Sequence, residues 1–134
     1  MAEKFHLKVI TPERVFYEGE AFFVEMNTTE GEVGIYKNHI PMTMLLAPGV
    51  LLIHEEDGVK EAALHSGFIE ILQDRVSVLA EIAEWPDEID INRANEAKIR
   101  AERQLKNGEQ TANIIKAEIA LKRALTRLEV GRHK

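Results

Sequence analysis

The feature that most constrains the fold of this chain is a change in the spacing of its apolar residues at Glu84-Trp85-Pro86. Before this point apolar residues recur at every second position in short runs, which is the spacing of half-buried β-strands. The runs are Phe5, Leu7 and Val9; Phe22, Val24 and Met26; Val50 and Leu52; Ile69 and Ile71; and Val76, Val78 and Ala80. After it the spacing becomes helical. We therefore expect a β domain at residues 1–85 and a helical domain at residues 86–134.

Turn signals separate the apolar runs of the first domain. The strongest is Asp57-Gly58, which lies between V-L-L-I-H-E-E and V-K-E-A-A-L-H and predicts a hairpin with a type I′ turn. Many short strands at this spacing are typical of a β-sandwich or a flattened barrel. Because 45% of the residues are apolar, the chain has enough of them to bury a core, which excludes disorder throughout.

The second domain contains two helical segments. Residues 91–106 are good helix formers and follow Asp90, a suitable N-cap, while Asn107-Gly108 predicts the end of the helix because both residues accept the left-handed conformation. A second helix is expected from about Glu109 to Val130. The two helices and their tight turn predict an antiparallel hairpin.

The apolar residues of this hairpin are unusually small on one side. The first helix offers Ile91, Ala94, Ala101 and Leu105 to its neighbour. The second carries a stripe of Ile114, Ala117, Leu121, Ala124, Leu125 and Leu128, which Ile115 and Ile119 widen. Because alanine buries little area, we expect a weakly held hairpin that responds to whatever binds it. The alternative is that alanine is present only because it permits close packing of the two helices. The width of the stripe indicates more than one packing partner for the second helix.

Charge is divided between the two domains. Residues 1–90 hold six Lys and Arg against 18 Asp and Glu, whereas residues 91–134 hold 11 against five, so the net charges are -12 and +6. This asymmetry predicts either docking of the basic tail on the acidic body or different partners for each.

Four arginines of the tail are spaced to converge. Arg93 and Arg100 are seven apart on the first helix, and Arg123 and Arg127 are four apart on the second, so each pair lies on one helix face. If those faces meet, four guanidinium groups surround one point, and a polyphosphate is the anion that best matches their forked donors. The alternative is a solvated charged face.

Several segments together carry a resemblance to a known family. I-D-I-N-R-A, Ile89 to Ala94, resembles the nucleotide-binding motif Ile/Leu-Asp-x-x-Arg-Ala of epsilon subunits of bacterial F-type ATP synthases. G-E-V-G-I-Y-K-N-H-I-P, Gly31 to Pro41, is similar to the signature loop of that family. T-P-E-R-V-F-Y-E-G-E, H-S-G-F-I-E-I and A-L-K-R-A-L-T-R-L also match, so the resemblance spans essentially the whole chain.

The resemblance implies a ten-stranded β-sandwich followed by a two-helix hairpin, in a central-stalk subunit of an enzyme that couples ATP synthesis to proton transport. It implies that the sandwich contacts the gamma subunit and the ring of c subunits. It also implies a hairpin that is either folded beside the sandwich or extended along gamma, near the catalytic beta subunits, where it inhibits ATP hydrolysis. ATP is then a regulatory ligand of the folded hairpin, and no catalytic cofactor is expected.

Carried over by motif, the resemblance also implies site residues. The ATP contacts are Glu84, Ile89, Asp90, Arg93, Ala94, Arg100, Arg123 and Arg127, and the c-ring contacts are Glu32 and His39. No catalytic residue and no metal ligand is implied. The chain departs from the family pattern at Trp85-Pro86, which we expect to affect the stiffness of the linker.

Two other classes of protein were weighed. An enzyme is disfavoured because the chain has no cysteine, no G-x-x-x-x-G-K and no H-E-x-x-H. His6, His54 and His65 are expected to be surface or partly buried structural residues, and Glu55, Glu56 and Asp57 a solvated turn rather than a cation site. A small basic-tailed nucleic-acid-binding module is the alternative function. It is disfavoured because no aromatic residue follows Trp85.

The sequence also bears on location. The start M-A-E-K-F-H-L-K has no apolar run long enough for a signal sequence, and no stretch approaches the roughly 18 apolar residues of a membrane span. We expect a soluble protein, peripheral to the cytoplasmic face of a bacterial cell membrane, that meets the membrane only through a partner.

Overall fold

The computed structural model describes residues 3–107 and 111–132, and its elements change type where the apolar spacing changes. The strands are β1 (Phe5–Ile10), β2 (Val15–Ala21), β3 (Phe23–Thr28), β4 (Gly31–Ile35), β5 (Met42–Leu46), β6 (Gly49–Glu55), β7 (Gly58–Ile71) and β8 (Arg75–Glu84). A 3-10 turn at Pro86–Glu88 precedes the helices α1 (Ile91–Lys106) and α2 (Thr111–Gly131). The predicted stop at Gly108 and helix start at Glu109 lie outside the described residues.

The strands pair in the order β2-β1-β8-β7-β5-β3-β4, and β6 joins β3 to β7. All the pairs are antiparallel except one: the first strand, β1, lies parallel to the last, β8, with His6 opposite Arg75 and Ile10 opposite Leu79. The N-terminal strand therefore lies next to the strand that leads into the hairpin.

A bend in β7 turns the strand from one partner to another. Residues up to Leu64 pair with β6, whereas residues from Gly67 onward pair with β5. At the bend Ser66 has φ 53° and Gly67 has φ 131°, and a Cβ atom on Gly67 would lie 2.0 Å from the Leu79 carbonyl oxygen, so only glycine fits. The described residues form eight strands rather than the expected ten, and β7 continues through the bend as one long strand.

The main core follows the predicted alternation in β1, β3, β7 and β8. In β6 the prediction is wrong by one residue, because Leu51 and Ile53 are fully buried and Val50 and Leu52 only partly. Leu7, Val24 and Val78 have no exposed surface, and their neighbours along each strand point outward. The hairpin of β6 and β7 is also confirmed, with Glu55 opposite Gly58. The turn is not type I′, because at its tip only Gly58 has a positive φ.

The helices pack through alanines. Ala94 and Ala101 of α1 and Ala117 and Ala124 of α2 are all at most 4% exposed, and the members of each pair are seven apart. At about 0.8 kcal/mol for each buried methyl-sized group, the four contribute only about 3 kcal/mol. The expected stripe is wrong at Leu125, which is 46% exposed. The hairpin is thus closely packed and modestly stabilised.

The start of α1 follows the expected capping pattern. Asp90 is the N-cap, and its Oδ1 accepts a hydrogen bond of 3.1 Å from the backbone N–H of Arg93. Helix α1 ends at Lys106 with Asn107 as its C-cap, as expected, and Asn107 itself is right-handed with φ -76°. Neither helix, within the described residues, has the length and apolar character needed to cross a membrane.

A second, smaller core connects the hairpin to the sandwich. Ile89 before α1, Ala63 of β7 and Val130 at the end of α2 are buried together, and Val50 and Ile91 pack against them. This core is small compared with that of the sandwich. Docking of the hairpin therefore depends on few apolar contacts.

The linker between the domains is fixed to the sandwich. Trp85 stacks on Phe16 of β2 with ring centroids 4.2 Å apart. The Glu88 carboxylate accepts hydrogen bonds from the Trp85 backbone N–H at 2.9 Å and from the Arg14 guanidinium at 2.8 Å. These contacts hold the segment up to Glu88 on the sandwich. Ile89 is then the first residue that packs against the hairpin.

Candidate functional site

A cavity of about 310 Å³ lies where α1, α2 and the end of β8 meet. Its size falls within the roughly 300 to 1,000 Å³ of small-molecule sites. The lining residues are Glu84, Glu88, Asp90, Arg93, Ala94, Ala97, Arg100 and Arg127. Six of the eight ATP contacts implied by the resemblance are among them; Ile89 and Arg123 are not. We refer to this cavity as the hairpin pocket.

Helix α1 supplies two of the cationic side chains of the hairpin pocket. Arg93 and Arg100 lie two turns apart on one face, as their spacing predicted, and both are exposed. Among the described residues neither guanidinium has an ion-pair partner. The N-terminus of α1, at Asp90, adds the positive end of the helix dipole. This wall of the pocket is therefore suited to an anion.

The opposite wall is built around Glu84, the last residue of β8. One oxygen, Oε1, accepts a hydrogen bond of 2.8 Å from Arg127 Nε and lies 3.1 Å from His65 Nε2. Arg127 comes from α2 and His65 from β7, so this carboxylate joins the hairpin to two neighbouring strands. The second oxygen, Oε2, takes no part in these two bonds.

The protonation of these groups follows from their surroundings. Burial opposes ionisation of Glu84, but the hydrogen bonds from His65 and Arg127 outweigh it and hold the pKa of this carboxyl below its ordinary value. Burial lowers the pKa of His65, and the charges of Arg127 and Arg123 add to this effect against the opposing bond to Glu84. At neutral pH Glu84 is thus ionised, and His65 is neutral and donates its Nε2–H.

Arg123 lies beside the hairpin pocket rather than in its lining. Its Nη2 donates to Ser66 Oγ at 2.9 Å and lies 3.6 Å from Glu81 Oε2. Its buried Nε–H has no partner among the described residues. The left-handed backbone of Ser66 in the β7 bend presents the hydroxyl to α2. The structure therefore brings three of the four predicted arginines into one pocket and holds the fourth next to it, while Ile89 is buried in the smaller core.

Three residues near the pocket were missed by sequence reasoning about the site. Glu88 and Ala97 line it, and His65 supports Glu84 from behind. His65 was expected at or near the surface, but its side chain is fully buried. Alternation along β7 places His65 on the same face as Ala63, which lies opposite Glu84. That signal becomes readable only once the register of β7 and β8 is known.

The two predicted c-ring contacts lie on other elements. Glu32 is an exposed residue of β4, and it lines a larger cavity of about 880 Å³ between α2 and strands β3, β4 and β6. His39 lies in the loop between β4 and β5, where its Nδ1 is 2.9 Å from the Ile40 carbonyl oxygen. The segment expected as a signature loop is strand up to Ile35 and loop only from Tyr36.

An apolar row crosses the outer face of the sheet. Its members lie opposite one another in successive strands, and all are at least partly exposed; they are Leu45, Phe68, Leu79, Ile10 and Val15. Leu45 and Val15 are 61% and 52% exposed. A contiguous exposed apolar surface of this kind is typical of a protein interface. We call it the apolar row.

No group of three or more His, Asp or Glu side chains in the described part of the chain is arranged to hold a metal ion. In the acidic turn, Glu55 lies 2.5 Å from Lys60 Nζ and Glu56 lies 2.7 Å from Lys4 Nζ. These carboxylates are thus paired with lysines.

Comparison with known proteins gives matches along the whole chain. Residues 4–86 match the family described as ATP synthase, Delta/Epsilon chain, beta-sandwich domain, and residues 87–131 match the long alpha-helix domain of the same chains. The ATP synthase epsilon chain of Caldanaerobacter subterraneus subsp. tengcongensis is 47% identical over 132 residues, covering 98% of this chain and 96% of that one. The epsilon chain of Alkaliphilus metalliredigens is 40% identical, with full coverage of both.

A solved structure shares the fold. A chain of the mitochondrial ATP synthase of Euglena gracilis, in a structure of OSCP, F1 and c-ring, superposes with a TM-score of 0.82 at 24% identity, covering 97% of this chain and 82% of that chain. A sandwich followed by a helical hairpin is therefore a fold that ATP synthase components also adopt.

Proposed function

Because the chain belongs to the ATP synthase delta/epsilon family, as an epsilon chain of the central stalk, we propose that it regulates ATP hydrolysis through its hairpin, with ATP as a regulatory ligand. The hairpin in the docked position seen here is the non-inhibitory state. The undocked hairpin, extended along gamma, is the inhibitory one. ATP is bound without being hydrolysed, and the catalytic chemistry belongs to other subunits.

The observation that carries this proposal is that Arg93 and Arg100, which have no ion-pair partner among residues 3–107 and 111–132, line one pocket together with Arg127. Guanidinium groups bind phosphate oxygens through paired N–H donors, so three of them can each engage oxygens of a triphosphate. The carboxylates of Glu84 and Asp90 accept hydrogen bonds, which suits the amino group of a base or the hydroxyls of a ribose. The lining thus fits both parts of a nucleotide.

The position of the pocket explains how ATP would control the hairpin. Its walls come from α1, α2 and β8, so it exists only when the hairpin is docked. A ligand that binds only the docked state, present at about ten times its dissociation constant, stabilises that state by about 1.4 kcal/mol. This is a substantial bias for a hairpin held by small apolar contacts.

Charge supplies the competing interaction. Residues 91–134 carry a net charge of +6. Once undocked, this segment is attracted to acidic surfaces, and the catalytic beta subunits of the complex are the partner we propose for it. ATP and the beta subunits then compete for one set of arginines.

The sandwich is the attachment to the rotor. The apolar row lies on the outer face of β5, β7, β8, β1 and β2, and we assign it to the contact with the gamma subunit. Glu32 and His39 are assigned to the contact with the c-ring. Attachment to the membrane is through these partners.

Isothermal titration calorimetry of the full chain with ATP tests the proposal. We expect one site, and we expect Arg93→Gln to weaken binding at least about tenfold, because removing a charge-assisted bond costs about 1.5–3 kcal/mol. Arg103→Gln is the matched control, since Arg103 is exposed on the same helix and does not line the pocket. Absence of binding heat, or equal weakening by both variants, would overturn the proposal.

A further inference from the structure

A buried imidazole supports the wall of the hairpin pocket from behind. The His65 side chain has no exposed surface, and its Nε2 is 3.1 Å from the Glu84 oxygen that also accepts from Arg127. Its other ring nitrogen, Nδ1, is buried without a partner among the described residues. No described group accepts a hydrogen bond from a proton on Nδ1, so the surroundings of the ring favour the neutral imidazole.

The charged groups around His65 come from two elements. Glu84 on β8 favours the imidazolium, whereas Arg127 and Arg123 on α2 oppose it. Glu81, also on β8, is engaged at 3.6 Å by Arg123, and Glu88 of the 3-10 turn is paired with Arg14. Burial of the ring is the largest effect, and with the two arginines it holds the pKa of His65 below its ordinary value.

Undocking of the hairpin removes the groups that oppose protonation of His65 and leaves the group that favours it. Arg123 and Arg127 leave with α2, and the ring gains access to water. Glu84 stays, because β8 remains paired with β7 in the sandwich. Each change favours the imidazolium, so the undocked state binds a proton more tightly than the docked state does.

We propose that His65 is a positioning residue that makes docking of the hairpin depend on pH, its protonation releasing α2 from the sandwich. Docking itself requires no other subunit. The consequence for the enzyme rests on the function proposed above: acid conditions would increase the inhibitory state and weaken ATP binding.

The sign and the pH range follow from linkage. His65 has the lower pKa in the docked state, so docking is fully stable only above the undocked pKa. As pH falls below this value, the docking constant decreases by up to about tenfold per pH unit, until the docked pKa is reached. Protonation of Glu84 acts near and below its ordinary value of about 4.3, so it is separated from this range.

Distances between two spin labels on the full chain, without nucleotide, test the proposal. The chain has no cysteine, so Asp57→Cys on the sandwich and Gln104→Cys on α1 give unique labels, and both positions are exposed. As the pH is lowered from about 8 to about 5.5, we expect the undocked fraction of the parent chain to rise. His65→Gln, whose amide keeps a donor for Glu84 and does not titrate, should show no such rise.

The controls make the outcome decisive. His54→Gln removes a half-exposed histidine of β6 and should leave the pH response unchanged. The proposal is overturned if the parent chain shows no response, or if His65→Gln retains it. NMR titration of the unmodified chain covers the case in which His65→Gln does not fold: the His65 resonance should titrate below about 6.5, and titration at or above it overturns the proposal.

Failure of this proposal and failure of the proposed function are distinguishable. The pH series contains no nucleotide, so a chain that undocks in acid but gives no heat with ATP contradicts only the nucleotide role. A chain that binds ATP and docks equally at all pH values contradicts only the role of His65.

Discussion

Arg127 Nε on α2 lies 2.8 Å from Glu84 Oε1 at the end of β8, and both side chains are about three-quarters buried. This ion pair connects the hairpin to the sandwich, and it also forms part of the wall of the hairpin pocket. A ligand in the pocket and a docked hairpin therefore require the same arrangement of side chains.

Replacing Arg127 with methionine keeps the aliphatic stem and removes the bond to Glu84. We expect docking to weaken by about 1–3 kcal/mol, because a largely buried carboxylate then loses a charged donor. Hydrogen exchange along α2 should accelerate accordingly. Arg132→Met is the control, since Arg132 is exposed at the end of the same helix. Equal exchange in the two variants would contradict this view of the ion pair.

The four buried alanines through which α1 and α2 pack form a seam. Ala117 in this seam is 1% exposed, whereas Ala120 is exposed on the same helix. Ala117→Leu should overpack the seam and lower hairpin stability by about 1–3 kcal/mol. Ala120→Leu should change it by less than about 0.5 kcal/mol. Thermal melting followed by helical circular dichroism measures both. If Ala117→Leu melts like the parent chain, the seam is looser than described.

Alanine substitutions at Gly67 and Gly58 distinguish the cost of a steric clash from the cost of a positive φ alone. Both have positive φ, but a Cβ atom on Gly67 would lie 2.0 Å from a backbone oxygen, whereas one on Gly58 has no atom within 4 Å. Gly58→Ala should cost about 1 kcal/mol of sandwich stability, and Gly67→Ala more than about 3 kcal/mol. Urea unfolding of the two variants gives the comparison. Similar midpoints would mean that β7 relaxes around the new methyl group.

Phe68 lies between Leu45 and Leu79 in the apolar row and is 42% exposed. Phe68→Asp should weaken assembly with the gamma subunit by about 100-fold or more, because a charge would be buried in the interface. Val59→Asp is the control, since Val59 is 57% exposed on β7 and outside the row. Binding measured with purified gamma, and circular dichroism of each free variant, decide between a lost contact and a lost fold.

Local sequence rules predicted the elements well. Alternation located most of the buried strand residues, although in β6 it gave Val50 and Leu52 where Leu51 and Ile53 are buried, and Asp90 was correctly placed as the N-cap of α1. The same rules do not predict which strands pair with one another. The Ser66-Gly67 pair is itself a turn signal, but these rules do not predict that β7 bends there and changes partner as one strand, and the resemblance implied ten strands rather than eight.

The candidate site was predictable where it depends on one helix. Arg93 and Arg100 share a face because of the helix repeat, and the structure places both in the hairpin pocket. Arg123 lies beside the pocket, where it donates to the Ser66 hydroxyl of a distant strand, and the spacing within α2 does not predict that contact. His65 was missed for the same reason. Contacts between elements require the register, which spacing within one element does not contain.

The parallel pairing of β1 with β8 has a consequence for biogenesis. His6 finds its partner, Arg75, only after most of the sandwich has been translated, so this long-range closure must wait for the last strand to leave the ribosome. The hairpin is translated after the strands, so it docks on a sandwich whose strands are all available to pair. We therefore expect the hairpin to be the last part of the chain to assemble and the first to detach when the protein is heated, while the sandwich stays folded.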